Sequence, residues 1–179
     1  MTDDAALLHA LEMIQERGAI GEASLDRAIT HADLYATRVP ADAARLVDLG
    51  SGGGLPGLVI AVRCSWLDIT LVERREKRAD LLRRAVGSLG LMDRVTVVAE
   101  DVQRLATSSA GTFDVVTARS FAAPPITLRW ASVLLRSGGL LLVSEPPEDD
   151  AGRWPTADLD ARGLIDLGRE QGLRRFERR

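Results

Sequence analysis

Apolar positions along the chain change period several times, and each change marks an element. Leu7, Leu8, Leu11 and Ile14 recur at helical spacing, with Thr2 able to cap that helix and Gly18 to stop it. Leu25, Ala28, Ile29 and Ala32 repeat the spacing behind Ser24, a second candidate cap, and the pattern ends before Pro40. From there, continuous apolar runs alternate with helical stretches. Strands are expected over Arg45–Leu49, Ile69–Glu73, Val95–Ala99, Phe113–Ala118 and Leu140–Ser144, the last entered through Gly138-Gly139. Helices are expected over Pro56–Val62, over Arg78–Leu89 with Gly90 closing it, and over Ile126–Leu135. Pro56 then falls in a first turn, where its missing N–H costs little.

Strands separated by helices imply right-handed βαβ units and a parallel sheet. Leu164–Gly168 and Leu173–Glu177, separated by Glu170-Gln171-Gly172, are expected to close the sheet as an antiparallel hairpin. The pattern predicts a doubly wound α/β sandwich around a mostly parallel, seven-stranded sheet. A helical cap over residues 1–40 precedes a core over 41–179, and no repeat or low-complexity segment suggests a second domain.

Composition narrows the classes. The 179 residues are 46% hydrophobic and 27% charged, ordinary for a globular domain with a core of its own. A single cysteine, Cys64, cannot form an internal disulfide and fits a reducing cytoplasm. Two histidines and one cysteine make a dedicated metal site unexpected. The apolar runs are too short to span a bilayer, and Asp3 and Asp4 do not suit a signal peptide, so a cytoplasmic protein is expected. The net charge of −3 argues mildly against tight non-specific nucleic-acid binding. Charge is nonetheless segregated. Arg74, Arg75, Lys77, Arg78, Arg83 and Arg84 crowd one stretch, and Arg174, Arg175, Arg178 and Arg179 crowd the end. Glu145, Glu148, Asp149 and Asp150 lie between them. These runs read as solvated faces or as a local phosphate-facing surface.

The most informative segment runs from Leu46 to Gly57. An apolar run reaches Asp48, breaks into Gly50-Ser51-Gly52-Gly53-Gly54, and restarts as a helix. That is a strand, a backbone-only loop and a helix N-terminus, the edge on which α/β sheets bind nucleotides. Gly52-Gly53-Gly54-Leu55-Pro56-Gly57 also fits the G-x-G-x-x-G dinucleotide pattern, but with Gly50 as the turn glycine the third position falls on Leu55. A purely structural turn is a further reading. Asp48, at the strand end, suits a ligand with a cationic or multi-hydroxyl head and would face a pyrophosphate poorly. S-adenosylmethionine (SAM) is the reading it favours.

Glu73 ends the second strand about twenty residues later, where a carboxylate can accept both hydroxyls of a ribose. It could instead pair with Arg74 or Arg75 at the surface. Glu100-Asp101-Val102 follow the third strand, where a polar group and Val102 can meet an adenine, and Asp101 can equally cap a helix. Thr117-Ala118-Arg119-Ser120 follow the fourth strand, across the switch point from the glycine loop. Neither an Asn/Asp-Pro-Pro-aromatic segment nor a cysteine stands there, so exocyclic-amine and covalent pyrimidine chemistry have no support. Arg119 could hold an anion, stack on a base, or form a salt bridge.

Asp48-Leu49-Gly50-Ser51-Gly52-Gly53-Gly54-Leu55-Pro56-Gly57, then Glu73 with Lys77-Arg78, then Ala118-Arg119-Ser120-Phe121-Ala122, resemble the glucose-inhibited-division B family. The resemblance covers roughly Ala32 to Val143. It implies a Rossmann-like class I SAM-dependent methyltransferase acting on N7 of one guanine in small-subunit ribosomal RNA, with that RNA or the small ribosomal subunit as partner. It further implies that Gly50 and Leu55 contact SAM, that Val102 and Gln103 line the adenine, and that Arg119 sits at the active site. The candidate cofactor set is then Asp48, Gly50, Ser51, Gly52, Leu55, Glu73, Asp101, Val102, Gln103 and Arg119, with Arg119 also the candidate catalytic residue. The chain departs from the family at Asp101, where Arg is usual, at Ser144-Glu145, where Lys-Gly is usual, and in a shorter N-terminal region. Asp101 and Glu145 favour a second reading, a small-molecule methyltransferase on the same frame. A module that binds SAM or a dinucleotide without turnover is a third.

Overall fold

The computed structural model describes residues 4–22, 24–146 and 152–179. Two helices lead, α1 (Asp4–Gln15) and α2 (Leu25–Ala36). There follow β1 (Arg45–Leu49), α3 (Gly57–Arg63), β2 (Asp68–Val72), α4 (Glu76–Ser88), β3 (Val95–Val98), α5 (Val102–Ser109), β4 (Phe113–Ala118) and α6 (Pro124–Leu134). The chain ends with β5 (Leu135–Ser144), α7 (Thr156–Ala161), β6 (Leu164–Glu170) and β7 (Leu173–Arg178). The seven strands form one sheet in the order β3-β2-β1-β4-β5-β7-β6. The first five pair in parallel, and β7 runs antiparallel to both β5 and β6. This is the doubly wound, mostly parallel sheet that the pattern predicts.

Why these residues form strands is plain at the centre. Leu46, Val47 and Leu49 of β1 are wholly buried, as are Val115 and Val116 of β4, because helices cover both faces of a parallel sheet. One face packs under α1 to α4, with Leu11, Ile14, Leu58, Ile60 and Leu82 in a common cluster. The other packs under α5 to α7, with Leu128, Leu134, Leu141, Leu159 and Phe176. The helices over residues 1–40 therefore share a core with the sheet, through Leu7, Ala32 and Tyr35.

Several boundaries differ from the pattern. Gly138-Gly139 lie inside β5, at a bulge where pairing jumps from Phe113–Leu135 to Val115–Leu140, so β5 starts five residues before Leu140. Gly139 is required there because a Cβ would lie 3.0 Å from both Arg136 O and Asp114 O. Helices α5 and α7 have no counterpart in the expected elements; each is short and buries little, Val102 and Ala106 in α5 and Leu159 in α7. Pro56 is the N-cap of α3 rather than part of its first turn. Ser24 stands at the N-cap of α2 without a side-chain capping bond. The expected cap Thr2, and Glu148, Asp149 and Asp150, lie outside the described residues.

Candidate functional site

The carboxyl ends of β1 to β4 share one side of the sheet, and a cavity of about 440 Å³ opens above them. Gly50 after β1, Val72 at the end of β2 and Glu73 after it, Asp101 and Val102 after β3, and Phe121 after β4 contribute its walls. Ile126 and Trp130 of α6 add an apolar side, and Arg74, Arg75 and Arg78 add cations.

Gly50 sits at φ +66°, a left-handed conformation that a side chain resists, and a Cβ there would lie 2.8 Å from the Phe121 ring. Ser120 shares that conformation at φ +53°, a strained state for a residue with a side chain. The kink brings Phe121 back over Gly50 and narrows the cavity to a slot beside bare backbone.

Glu73 is 5% exposed, and its two oxygens accept N–H bonds from Gly52 at 3.1 Å and from Arg75 at 2.8 Å. Arg75 thus meets it through the backbone. Each oxygen keeps a lone pair. The carboxylate is fixed in direction and can still receive two hydroxyls.

Asp48 lies beneath this floor, 1% exposed. Its Oδ1 accepts the Thr117 hydroxyl at 2.7 Å, and its Oδ2 has no hydrogen-bond partner among the described residues. Burial pushes its carboxyl up to about 6, against the hydrogen bonds from Thr117, Ser51 and the Gly57 backbone and the charge of Arg119. A cationic ligand head would find a partner in this buried carboxyl group and favour its charged form. Gly57 crowds it, since a Cβ there would lie 2.8 Å from Oδ2 and would collide with the Leu71 side chain.

Arg119 is half-buried, does not line the cavity, and forms no ion pair among the described residues. Its charge acts on Asp48, His31 and Tyr35, which places it toward α2. Burial first, and Arg119 second, lower the His31 pKa; burial raises that of Tyr35, whose hydroxyl donates to Ala118 O at 3.1 Å.

The remaining candidates are placed as follows. Asp101 stands in the wall and also caps α5, accepting the Gln103 N–H at 2.9 Å, so both of its readings hold in geometry. Gln103 is exposed and outside the cavity. Ser51 is buried, its hydroxyl donating to Asp48 O at 3.0 Å and its N–H to Val72 O at 2.9 Å. Gly52 reaches the cavity only through Glu73, and Leu55 lies in the core below the loop. Gly50, Glu73, Asp101 and Val102 are therefore brought together, while Asp48, Ser51, Gly52, Leu55, Gln103 and Arg119 surround them.

Phe121, Ile126, Trp130 and Arg78 line the cavity without having been singled out for it. A signal existed for two of them. The buried stripe of α6 is Thr127, Leu128, Ala131 and Leu134, and Ile126 and Trp130 form a second apolar pair four residues apart beside it. At the far edge, Glu145 has only 1% of its side chain exposed and is enclosed by its own neighbours. It accepts the Trp154 indole N–H at 2.8 Å and pairs with Arg153 at 3.3 Å and Arg174 at 3.7 Å. No described helix is long and apolar enough to cross a membrane.

Among solved structures, cofactor-bound Rv0187 from MTB shares the fold, with a TM-score of 0.65 at 22% identity over 97% of this chain and 88% of that one. That likeness shows a shared fold. A ribosomal RNA small subunit methyltransferase G from Acidothermus cellulolyticus is 40% identical over 162 residues, covering 88% of this chain and 68% of its own length. The protein of that name from Paracidovorax citrulli is 36% identical over 118 residues, and this chain spans 46% of its length. The family model described as GidB, rRNA small subunit methyltransferase G, matches residues 22–149, which include the glycine loop, Glu73 and Arg119. The chain belongs to the GidB family.

Proposed function

We propose that this chain transfers the methyl group of SAM to N7 of a guanine in small-subunit ribosomal RNA, in the cytoplasm. The observation that carries the reading is Glu73, held by two backbone N–H groups in the wall of a nucleoside-sized cavity beside Gly50. Bound SAM supplies a methyl group on a positively charged sulfur. Glu73 accepts the ribose hydroxyls, Val102, Ile126 and Trp130 flank the adenine, and the unpartnered Oδ2 of Asp48 balances positive charge at the methionyl end. Arg119, at the end of β4, holds the acceptor base. Guanine N7 carries a lone pair and no proton, so transfer needs alignment rather than a general base. Alignment of this kind is worth up to about 7–11 kcal/mol.

The small-molecule reading rests on Asp101 and Glu145, and both have structural work. Asp101 caps α5, and Glu145 is enclosed by Trp154, Arg153 and Arg174. Glu145, so enclosed, is not left to hold a small acceptor, which favours RNA.

The test maps N7-methylguanine on small-subunit RNA from a deletion strain, with and without the gene restored. Loss on deletion and return with the wild type, but not with Glu73→Ala, is the expected result. An unchanged modification pattern, together with transfer to a small acceptor in vitro, would overturn it.

A further inference from the structure

Along α4, two neighbouring stripes of side chains have opposite fates. Glu76, Asp80 and Arg83 lie on one, and Arg83 pairs with both acids at 2.7 Å. That stripe neutralises itself. Lys77, Leu81, Arg84 and Ser88 lie on the next, spaced i, i+4, i+7 and i+11, and face the seam with α1. Neither Lys77 nor Arg84 has an ion-pair partner among the described residues, because the acids on the helix are already taken.

Two further cavities follow that seam. One of about 230 Å³ is lined by His9, Met13, Arg17, Leu81 and Arg84 among others. The next, of about 440 Å³, shares Arg17 and Leu81 with it and adds Lys77, Arg75 and Arg78. Arg75 and Arg78 are in turn walls of the cofactor cavity. The three form a continuous track carrying Arg84, Arg17, Lys77, Arg78, Arg75 and Arg74. Glu76 is the one acid in the walls of the first two cavities, and Arg83 holds it. Arg17 is exposed, its Nη1 donating to Met13 O at 3.1 Å, and Met13 offers an apolar floor at 37% exposure.

We infer that the α1–α4 seam is a docking track for the sugar-phosphate backbone of single-stranded RNA, leading the strand to the mouth of the cofactor cavity. The inference rests on the RNA reading above and adds its route. A row of unpaired cations along a groove is the electrostatic footprint of a single strand. The track's continuity with the cavity that would take the reacting base sets its direction. Helix α1 and Arg17 lie outside residues 22–149, the span of the family match, so this wall is read from the present chain.

The test uses the full chain saturated with SAM and a fluorescein-labelled single-stranded RNA whose sequence surrounds the modified guanine. Arg17→Gln/Arg84→Gln should lower RNA affinity about tenfold at 0.1 M salt, and the log–log salt slope should fall by about 1.4, near 0.7 for each lost phosphate contact. SAM affinity should not move, because neither residue lines the cofactor cavity. Arg179→Gln, at a cation already paired with Asp160, should bind RNA as the wild type does. Wild-type affinity and slope in the double variant would overturn the track and leave the methyltransferase reading standing. A wild type that binds SAM but no RNA would overturn both. Should the double variant fold poorly, a photo-crosslinking residue at Met13 decides. An RNA adduct there, with none from the same residue at Ile165, supports the track; a missing adduct, or one to protein, overturns it.

Discussion

The two edges of the sheet carry similar charges and use them oppositely. On the β1–β2 side, Glu73 is oriented by backbone N–H groups with acceptor capacity to spare, and Lys77 and Arg84 of α4 beyond it have no ion-pair partner among the described residues. On the β5–β7 side, Glu145 is enclosed by Trp154, Arg153 and Arg174, and Arg174, Arg178 and Arg179 of the chain end are engaged by the protein itself. Arg174 also pairs with Asp166 at 2.7 Å, Arg179 with Asp160 at 3.0 Å, and Arg178 donates to the carbonyls of Ser132, Arg162 and Gly163. The reason is position. β7 lies between β5 and β6, so its long side chains lie across neighbouring elements, whereas α4 covers the sheet with one face and offers the rest to the seam and solvent. Basic residues fasten structure at one edge and remain available at the other.

The comparison breaks most visibly at Arg178. Arg178→Ala should cost about 4.5 kcal/mol of stability, taking the low end of the range for each of three charge-assisted bonds. Urea unfolding measures this, and the folded fraction should bind RNA normally. A stable Arg178→Ala protein with weakened RNA binding would reverse the roles of the two edges.

Asp48 sits between the edges, paired on β1 with both β2 and β4, and is the unsatisfied acid of the set. Its folded pKa of about 6 stands above the ordinary carboxyl value of 3.8 because burial disfavours the charged form. A raised acid binds its proton more tightly in the folded state, so its stabilising contribution is full below about 4 and is lost as pH rises through about 6. The shift corresponds to about 3 kcal/mol. Thermal unfolding across that window should show the decline, and Asp48→Asn should flatten it. Adding SAM should restore stability most at the high-pH end, where Asp48 is charged.

Glu73→Ala should weaken SAM binding by about 1.5–3 kcal/mol, the range for hydrogen bonds to a charged group, as read by calorimetry. Its melting temperature should change less than that of Glu145→Ala, which strands Arg153 and Arg174 without their shared carboxylate. Equal losses of stability would erase the distinction between the two strand-end acids. The smallest effect is expected from Lys77→Gln. It should leave unfolding and SAM affinity unchanged and lower the RNA salt slope by about 0.7.

Much of this architecture was legible in the residues. β1 and β4 fall on the expected Arg45–Leu49 and Phe113–Ala118, because strands covered on both faces must be continuously apolar. The placement of Gly50 and Glu73 at one cavity was legible too, since a glycine loop and an acid at two neighbouring strand ends of a parallel sheet fall on the same side of it. Helix α5 spans only eight residues and buries two of them, so it offers too few turns for its period to be read. The Phe121 contact over Gly50 depends on the left-handed turn at Ser120, which no spacing announces.

By itself, then, the sequence determined the sheet, the cofactor edge and the family, all written in local periodicity and in residues adjacent along the chain. The tertiary structure decided which charges are free. Arg83 and Arg84 are neighbours in sequence, yet one points along the helix at Glu76 and Asp80 and the other into the α1 seam. Glu73 and Glu145 both end strands, yet one meets backbone N–H groups and the other two arginines and an indole. A charge is consumed or available according to what folding brings within about 4 Å of it, and those partners come from elements far away along the chain.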